Sequence, residues 1–483
     1  MEEPRSVLSR PLLPLSAAIY TTVALVAFEG LAVVAALPDV AADLGQVRLL
    51  PWVITGFLVT SGVATVLSGP LVDSLGTTVM FRWSVAVFVA GSVLAAIAPS
   101  MEVMVAARIV QGAGGGLIIA VGLAAVALGY PDHLVARAYA ANSTVWGVMG
   151  VAGPAFAAFL LTAFDWRWIF WVNVPLGALA LASGWRAMPP RRPDAEPLRI
   201  DVVGTALVVA VTVTTLLAVS SVSAASLGWL AVSLLLAAAY AVHARRASQP
   251  VVRLEHVVRQ PFAGLALGMG LLLAGALGAH SYLPLFLQGG RGTSTAVAAW
   301  SVLFITIGWT TGANVGSRLT ERIAESTLAV SGFFVTVPAL SAAWVFTEGS
   351  IALQFTAWFV AGLGVGVSTN AALTLLRAVS DPAEIGRTSA AHQFLRNQGV
   401  AYGAALAGTV ILFVVARRVG DVEQVRRLLA GETTGVPPGA DEAIVEGFRA
   451  AVVTAVVLAA AGALPVWRLR RHLAEARHRR RGT

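Results

Sequence analysis

The sequence has no cysteine, and its 33 basic residues are all arginine, so lysine is missing as well. Without cysteine there is no disulfide framework, no thiol nucleophile and no thiolate metal site. Charge is also scarce, because charged residues make up 12% of the chain, against about a quarter in an ordinary soluble domain. The GxSxG, HExxH and phosphate-loop patterns are missing too. We therefore expect no enzyme activity, no metal, no cofactor and no ATP-driven step.

Apolar residues are abundant instead: 57% of the chain is hydrophobic, in uncharged runs of about 20 residues that are long enough to cross roughly 30 Å of hydrocarbon as helices. We predict an all-α membrane protein of fourteen transmembrane helices, with the first apolar run kept as the first helix. The predicted helices lie near residues 15–37, 50–71, 79–98, 103–128, 138–163, 167–187, 202–221, 225–243, 262–287, 295–316, 326–347, 351–376, 388–416 and 445–467.

The order of these helices suggests two related halves around an inserted pair, a layout typical of secondary transporters with internal repeats. We predict a six-helix bundle over residues 1–187 and a linker with two inserted helices over 188–260. A second six-helix bundle follows over 261–483, with an outer loop at 417–445 and a basic cytoplasmic tail. The outer loop contains VEQVRRLLA, read either as a solvated connector or as a lid or lipid-contacting segment.

The net charge of +8 raises the question of nucleic-acid binding, but the arginines are not arranged for it. They concentrate in alternate loops and in the tail from Arg468 to Arg481, as the positive-inside rule predicts for cytoplasmic segments. We expect both termini in the cytoplasm and no nucleic-acid partner.

Two ionisable residues stand out because a charge inside the hydrocarbon is costly. Glu29 in the first helix and Arg108 in the fourth lie at similar depths below the outer surface, so we predict that they interact. One hypothesis is a carboxylate whose protonation changes with conformation. The alternative is a static ion pair that fixes two helices.

Further polar residues occur in the C-terminal half. Arg396 and Asn397 lie in HQFLRNQG, a polar stretch that we expect to face a cavity. The alternative is that the Arg396 side chain snorkels to the cytoplasmic surface. His280 lies well inside a predicted span and is either a proton carrier or a hydrogen-bonded structural residue.

Glycine-rich stretches mark the fourth and fifth helices, which contain QGAGGG and WGVMGVAGP. They allow close helix packing. Alternatively, the fifth helix bends or slides at Gly150, Gly153 and Pro154 while the protein changes conformation.

Several motifs together resemble the fourteen-helix drug/proton antiporter branch of the major facilitator superfamily. They are FEGLAVVAALP with Glu29, WVITGFLV, ARIVQGAGGG with Arg108, GVAGP, DWRWIFWVNVPLG, and GPLVDSLG with Gly69, Asp73 and Gly76. The last string departs from the signature loop of the superfamily, because Ser74, Thr77 and Thr78 stand where basic residues are usual. Asp73 remains a candidate partner for a neighbouring helix N-terminus. Arg82 is a candidate to take the place of the missing basic residues as a partner of Asp73. Ala157 and Ala158 replace the usual glycine pair of the fifth-helix motif, and Glu29 replaces the usual aspartate.

The resemblance implies two six-helix bundles that rock about a central cavity. Glu29 would couple proton movement, Arg108 would tune it, and His280 is a further candidate for proton handling. Gly69, Asp73, Gly76, Gly150, Gly153 and Pro154 would serve conformational gating. The expected cavity residues are Gln111, Asn142, Tyr282, the Ala313–Asn314 pair, Arg396 and Asn397.

The function expected from these observations is proton-coupled export of drugs or lipophilic small molecules by a monomer in the bacterial inner membrane, in contact with lipid. A single buried carboxylate against Arg108 and Arg396 favours neutral or weakly anionic substrates. The alternatives are a lipid or glycolipid exporter and a non-transporting receptor or scaffold.

Overall fold

The computed structural model describes residues 4–45, 49–191, 199–220, 225–419 and 439–481. The regular structure of these residues is helical. The helices are α1 Leu13–Leu44, α2 Leu50–Leu75, α3 Thr77–Ala96, α4 Met101–Gly129, α5 Asp132–Ala163, α6 Arg167–Trp171, α7 Asn173–Gly184, α8 Val202–Ser220, α9 Ala225–Arg246, α10 Glu255–Val258, α11 Phe262–His280, α12 Leu283–Leu285 with a π-helical turn Phe286–Gly290, α13 Thr295–Leu319, α14 Glu325–Val345, α15 Ile351–Val379, α16 Ile385–Val419 and α17 Ala440–Arg481.

Local sequence explains several helix ends. The backbone of Gly76 has φ +84°, a left-handed conformation that favours glycine, and it separates α2 from α3. Ser100 caps α4 by accepting a hydrogen bond from the backbone N–H of Val103 at 3.5 Å. Ser294 caps α13 in the same way through Val297 at 3.4 Å.

Twelve of the described helical segments are long and apolar enough to cross a membrane, with Phe262–Gly290 counted as one segment. The remaining two predicted spans are also helical in the structure, as α13 and as the pair α6 and α7. The span predicted over 167–187 is helical over Arg167–Trp171 and Asn173–Gly184, and Val172 between them keeps helical backbone angles, φ −57° and ψ −30°. Pro175 has no N–H to bond the carbonyl of Trp171, so one helical hydrogen bond is missing between α6 and α7.

The chain forms two compact units, and each unit combines segments that are separated in the sequence. The first contains Met1–Thr205, Ala247–His256 and Leu373–Phe394. The second contains Ala206–Arg246, Val257–Ala372 and Leu395–Thr483. The first unit therefore takes up the end of α15 and the start of α16. The domain boundaries drawn from the sequence at 187 and 260 stay a prediction.

Two apolar clusters form the core of the first unit. One includes Val26, Phe88 and Ile118, and the other includes Phe28 and Met104. Both are built from α1, α3 and α4, and their members succeed one another along each helix. Glu29, Ser92, Arg108 and Gln111 are buried polar residues of these helices, and they lie where one cluster gives way to the other.

Most of the predicted outer loop, including VEQVRRLLA, lies outside the described residues. The same holds for residues 192–198 of the linker after α7. The two hypotheses for the outer loop therefore stay predictions.

Candidate functional site

The first unit contains a buried ion pair between α1 and α4. Arg108 Nη1 donates to Glu29 Oε1 at 2.5 Å. Glu29 is completely buried and Arg108 is 2% exposed. The guanidinium also donates through Nε to the carbonyl of Val53 on α2 at 3.0 Å. Arg108 therefore joins three helices through one side chain.

Three neutral polar side chains complete a network around this pair. Gln111 Oε1 accepts a short hydrogen bond from Arg108 Nη1, and Gln111 Nε2 donates to Ser92 Oγ at 2.8 Å. Asn173 Nδ2 donates to Glu29 Oε2 at 2.6 Å and lies 3.2 Å from Ser92 Oγ. All three are buried. The network therefore links α1, α3, α4 and α7 through side-chain hydrogen bonds.

The walls of the network are apolar and aromatic. The guanidinium carbon of Arg108 lies 4.3 Å from the ring centre of Phe57 and 6.0 Å from that of Phe170. Because water is excluded, two opposing influences act on the proton of Glu29: burial favours the neutral carboxyl, and Arg108 favours the carboxylate. The protonation of Glu29 therefore depends on how deeply it is buried and on how close Arg108 lies.

Close packing of α3 on α4 holds the network in register. A Cβ at Gly91 would lie 2.5 Å from the backbone nitrogen of Gln111, and one at Gly114 would lie 2.4 Å from that of Phe88. Gly114, in the QGAGGG stretch, therefore lies where α4 contacts α3, and a larger residue there would force the two helices to shift.

Asp73, at the end of α2, binds the first turn of α16. Its carboxylate accepts hydrogen bonds from the backbone N–H of Gly386 at 2.7 Å and of Arg387 at 3.0 Å. An anion at a helix N-terminus is favoured by the helix dipole. Gly69 lies at the same contact, where a Cβ would lie 2.9 Å from Cα of Arg387. The structure thus gives the signature loop an acidic contact with a helix end.

The pairing of Arg82 with Asp73, suggested from the sequence, is not found among the described residues. Its guanidinium donates to the carbonyl of Trp185 at 2.5 Å and stacks over that ring at 4.0 Å. The other gating candidates lie in or beside α2 and α5. Gly76 packs against Arg191, and α5 runs without interruption through Gly150, Gly153 and Pro154.

The predicted cavity residues are divided between the two units. In the first, Gln111 belongs to the buried network, and Asn142 is half-buried with no hydrogen-bond partner for Oδ1 among the described residues. In the second, Tyr282 is half-buried, Asn314 Nδ2 donates to the carbonyl of Thr310 at 2.8 Å, Ala313 is buried and Asn397 is exposed.

Arg396 and His280 both lie in the second unit. The Arg396 guanidinium lies 6.0 Å from the ring centre of Trp309, and the residue is half-buried. The ring of His280 meets that of Trp358 edge to face at 5.1 Å. His280 Nε2 is buried, and it has no hydrogen-bond partner in the part of the chain that the structure describes.

Asn173 and Ser92 were not predicted as site residues. Serine is common in these helices as a local hydrogen-bonding residue: Ser84, two turns before Ser92, bonds only its own helix through the carbonyl of Phe81. Asn173 carried a signal, because it lies in DWRWIFWVNVPLG, the most specific of the motif strings.

Span-length apolar helices around a fully buried ionic network define a polytopic membrane protein. Residues 18–404 match the model of the Major Facilitator Superfamily. The chain belongs to this superfamily, and it is a membrane transporter rather than an enzyme.

Relatives and solved structures agree with this assignment. The chain is 31% identical over 410 residues to a probable actinorhodin transporter of Streptomyces coelicolor, covering 79% of this chain and 69% of the relative. It is 24% identical over 395 residues to the multidrug transporter protein MdtP of Bacillus subtilis, covering 80% and 72%. The fold is similar to that of the human organic anion transporter MFSD10, with a TM-score of 0.62 and 14% identity over 94% of this chain and 98% of that one.

Proposed function

We propose that this transporter exports drugs or other lipophilic small molecules from the cytoplasm in exchange for protons. The observation that carries the proposal is the complete burial of Glu29 beside Arg108. Ionisable residues placed inside a membrane are costly and mark ion or proton pathways. Because helix movement changes both burial and the distance to Arg108, it changes the proton affinity of Glu29.

The names of the relatives support the choice of cargo. The Bacillus subtilis relative is called a multidrug transporter, and the Streptomyces coelicolor relative is called a probable transporter of actinorhodin. We infer small lipophilic compounds as the class of cargo for this chain.

We further propose that α13 and the α6–α7 pair cross the membrane, which makes fourteen spans. Both termini then lie in the cytoplasm of a bacterial cell, with the protein as a monomer in its inner membrane. The arginine distribution supports this orientation.

The charge inside the membrane supports a limit on the substrates. The interior carboxylate, Glu29, is paired with Arg108, while Arg396 and the candidate proton carrier His280 lie in the second unit. A dication would meet little negative charge in such an interior. We therefore propose neutral, lipophilic or weakly anionic substrates. Gradient-driven export of propidium, a dication, together with no export of neutral chloramphenicol, would contradict this proposal.

The proton step is tested in proteoliposomes with an imposed pH gradient and radiolabelled chloramphenicol. We expect the gradient to accelerate flux in the native protein and not in Glu29→Gln. Glu102→Gln is the matched control, since Glu102 is exposed in the first turn of α4. Equal gradient-driven flux in native protein and Glu29→Gln would remove Glu29 from the mechanism.

A further inference from the structure

The two oxygens of Glu29 have different kinds of partner. Oε1 accepts from Arg108, whose guanidinium has donors only and keeps its charge at any pH of interest. Oε2 accepts from the Asn173 amide at 2.6 Å. An amide, unlike a guanidinium, carries a donor and an acceptor on one group.

The acceptor of that amide is not in use. Asn173 Oδ1 is buried and has no hydrogen-bond partner among the described residues, while Nδ2 contacts both Glu29 and Ser92. A buried acceptor without a donor carries a desolvation cost. The residue therefore holds an unused acceptor next to the group that we propose takes up a proton.

The two protonation states of Glu29 need opposite partners. The carboxylate accepts hydrogen bonds, whereas the neutral carboxyl also has an O–H that must find an acceptor. A half-turn of the amide about its Cβ–Cγ bond exchanges Nδ2 and Oδ1. The same residue then serves either state without movement of α7.

We infer that Asn173 is the positioning residue of the proton step: Nδ2 holds the carboxylate of Glu29, and Oδ1 accepts from the protonated carboxyl after the amide turns. This inference rests on the proposed function, because it assigns a partner to the proton of Glu29. Ser92 Oγ accepts hydrogen bonds from the amide of Gln111 and from the amide of Asn173. These bonds hold the Asn173 side chain in place beside Glu29.

The test is an infrared pH titration of the purified protein, which follows the protonated carboxyl band of Glu29 and needs no substrate. The band is assigned by its loss in Glu29→Gln. In Asn173→Leu we expect the midpoint to move to higher pH by roughly half a unit to one unit, because the charge-assisted bond to the carboxylate is stronger than the bond to the neutral acid. We also expect the band to move to higher frequency, because the carboxyl loses its acceptor. If the leucine variant does not fold, Asn173→Ser takes its place: its shorter side chain removes the amide without adding bulk, and the same two shifts are expected.

A double variant makes the test specific for direct contact. Glu29→Gln/Asn173→Asp exchanges amide and carboxyl while the combined length of the two side chains stays the same. We expect a titrating carboxyl band to return, whereas Asn173→Asp alone places two carboxyls together and moves a midpoint upward.

The control is Ser84→Ala, which removes a buried hydroxyl of α3 outside the network and should leave the midpoint unchanged. A native midpoint and frequency in Asn173→Leu, no returning band in the double variant, or no titration of Glu29 in the native protein would each overturn the inference. Loss of gradient-driven flux in Glu29→Gln is a separate measurement, so failure of the proposed function is seen independently.

Discussion

Arg108 and Glu29 lie on helices α4 and α1 and meet through a 2.5 Å contact from which water is excluded. Taking both charges out of water is expensive, and their attraction offsets this only with good geometry and further hydrogen bonds. Val53, Gln111 and Asn173 supply those bonds. The pair is therefore satisfied as a unit, and neither member suits the site alone.

Removal of Arg108 alone should destabilise the first unit. In Arg108→Met we expect a loss of about 3 to 5 kcal/mol at neutral pH, because the carboxylate is left buried without its cation. The loss should shrink in acid, where Glu29 takes up a proton, and in the double variant Arg108→Met/Glu29→Gln. Thermal unfolding in detergent measures both. Arg167→Met is the control, since the half-exposed Arg167–Asp43 pair is worth about 0 to 1 kcal/mol. Equal losses in the two single variants would contradict this account.

Glycines on α4 should differ sharply in their tolerance of alanine. A Cβ at Gly116 would lie 2.1 Å from the carbonyl oxygen of Ser61 on α2, whereas one at Gly122 would meet nothing within 4 Å. We expect Gly116→Ala to cost about 1 to 3 kcal/mol, because the helices must move apart. Gly122→Ala should be neutral or stabilise by up to about 1 kcal/mol. Melting temperatures of the two variants, measured side by side, decide the matter, and similar values would show that α2 and α4 do not pack as described.

The sequence was sufficient for the membrane class and for the ion pair, and the reasons are physical. Long uncharged runs have no stable place other than a bilayer, and an ionisable residue inside such a run demands a partner. Glu29 and Arg108 could be matched because each is rare in its helix and their depths agree. The superfamily followed from motif strings rather than from composition.

Neutral polar partners could not be found in the same way. Nothing in the sequence distinguishes Ser92 from Ser84, since both are serines of the apolar helix α3. Only the fold shows that Ser92 bonds Gln111 and Asn173, whereas Ser84 bonds its own helix. The helical hydrogen bond missing between α6 and α7 depends on one absent N–H, that of Pro175, which hydropathy does not register. The grouping of the start of α16 with the N-terminal helices likewise depends on contacts far apart in the chain.

Asp73 should hold the first turn of α16 through its charge as well as its shape. Asp73→Asn keeps an acceptor oxygen and should cost about 1 kcal/mol, whereas Asp73→Ala leaves the N–H groups of Gly386 and Arg387 without it and should cost about 1 to 3 kcal/mol. Hydrogen exchange of the amides at 385–388 is the measurement. It should accelerate roughly tenfold or more in Asp73→Ala and less in Asp73→Asn. Asp165→Ala, which removes only a local cap at Arg167, should leave this region unchanged. Native exchange in Asp73→Ala would remove Asp73 from this contact.

A second contact holds the residue just before α16, and acid should weaken it. Glu384 pairs with Arg253 at 2.5 Å and with His256 Nε2 at 3.4 Å, both from the segment between α9 and α11. Arg253 also lies 3.4 Å from Glu255. Burial lowers the pKa of His256 below its ordinary value of 6.5, and the charge of Glu384 opposes that shift only in part.

A histidine whose pKa is lowered in the packed state binds a proton more readily once the packing is released. The packed state is therefore most stable above the ordinary pKa of histidine, and it loses stability as the pH falls below that value. We expect hydrogen exchange at 250–258, corrected for intrinsic rates, to rise several-fold from about pH 7.5 to about pH 5.5. His256→Gln should remove this pH dependence, and His133→Gln, at an exposed site, should keep it. A pH dependence that survives in His256→Gln would show that His256 is not the group responsible.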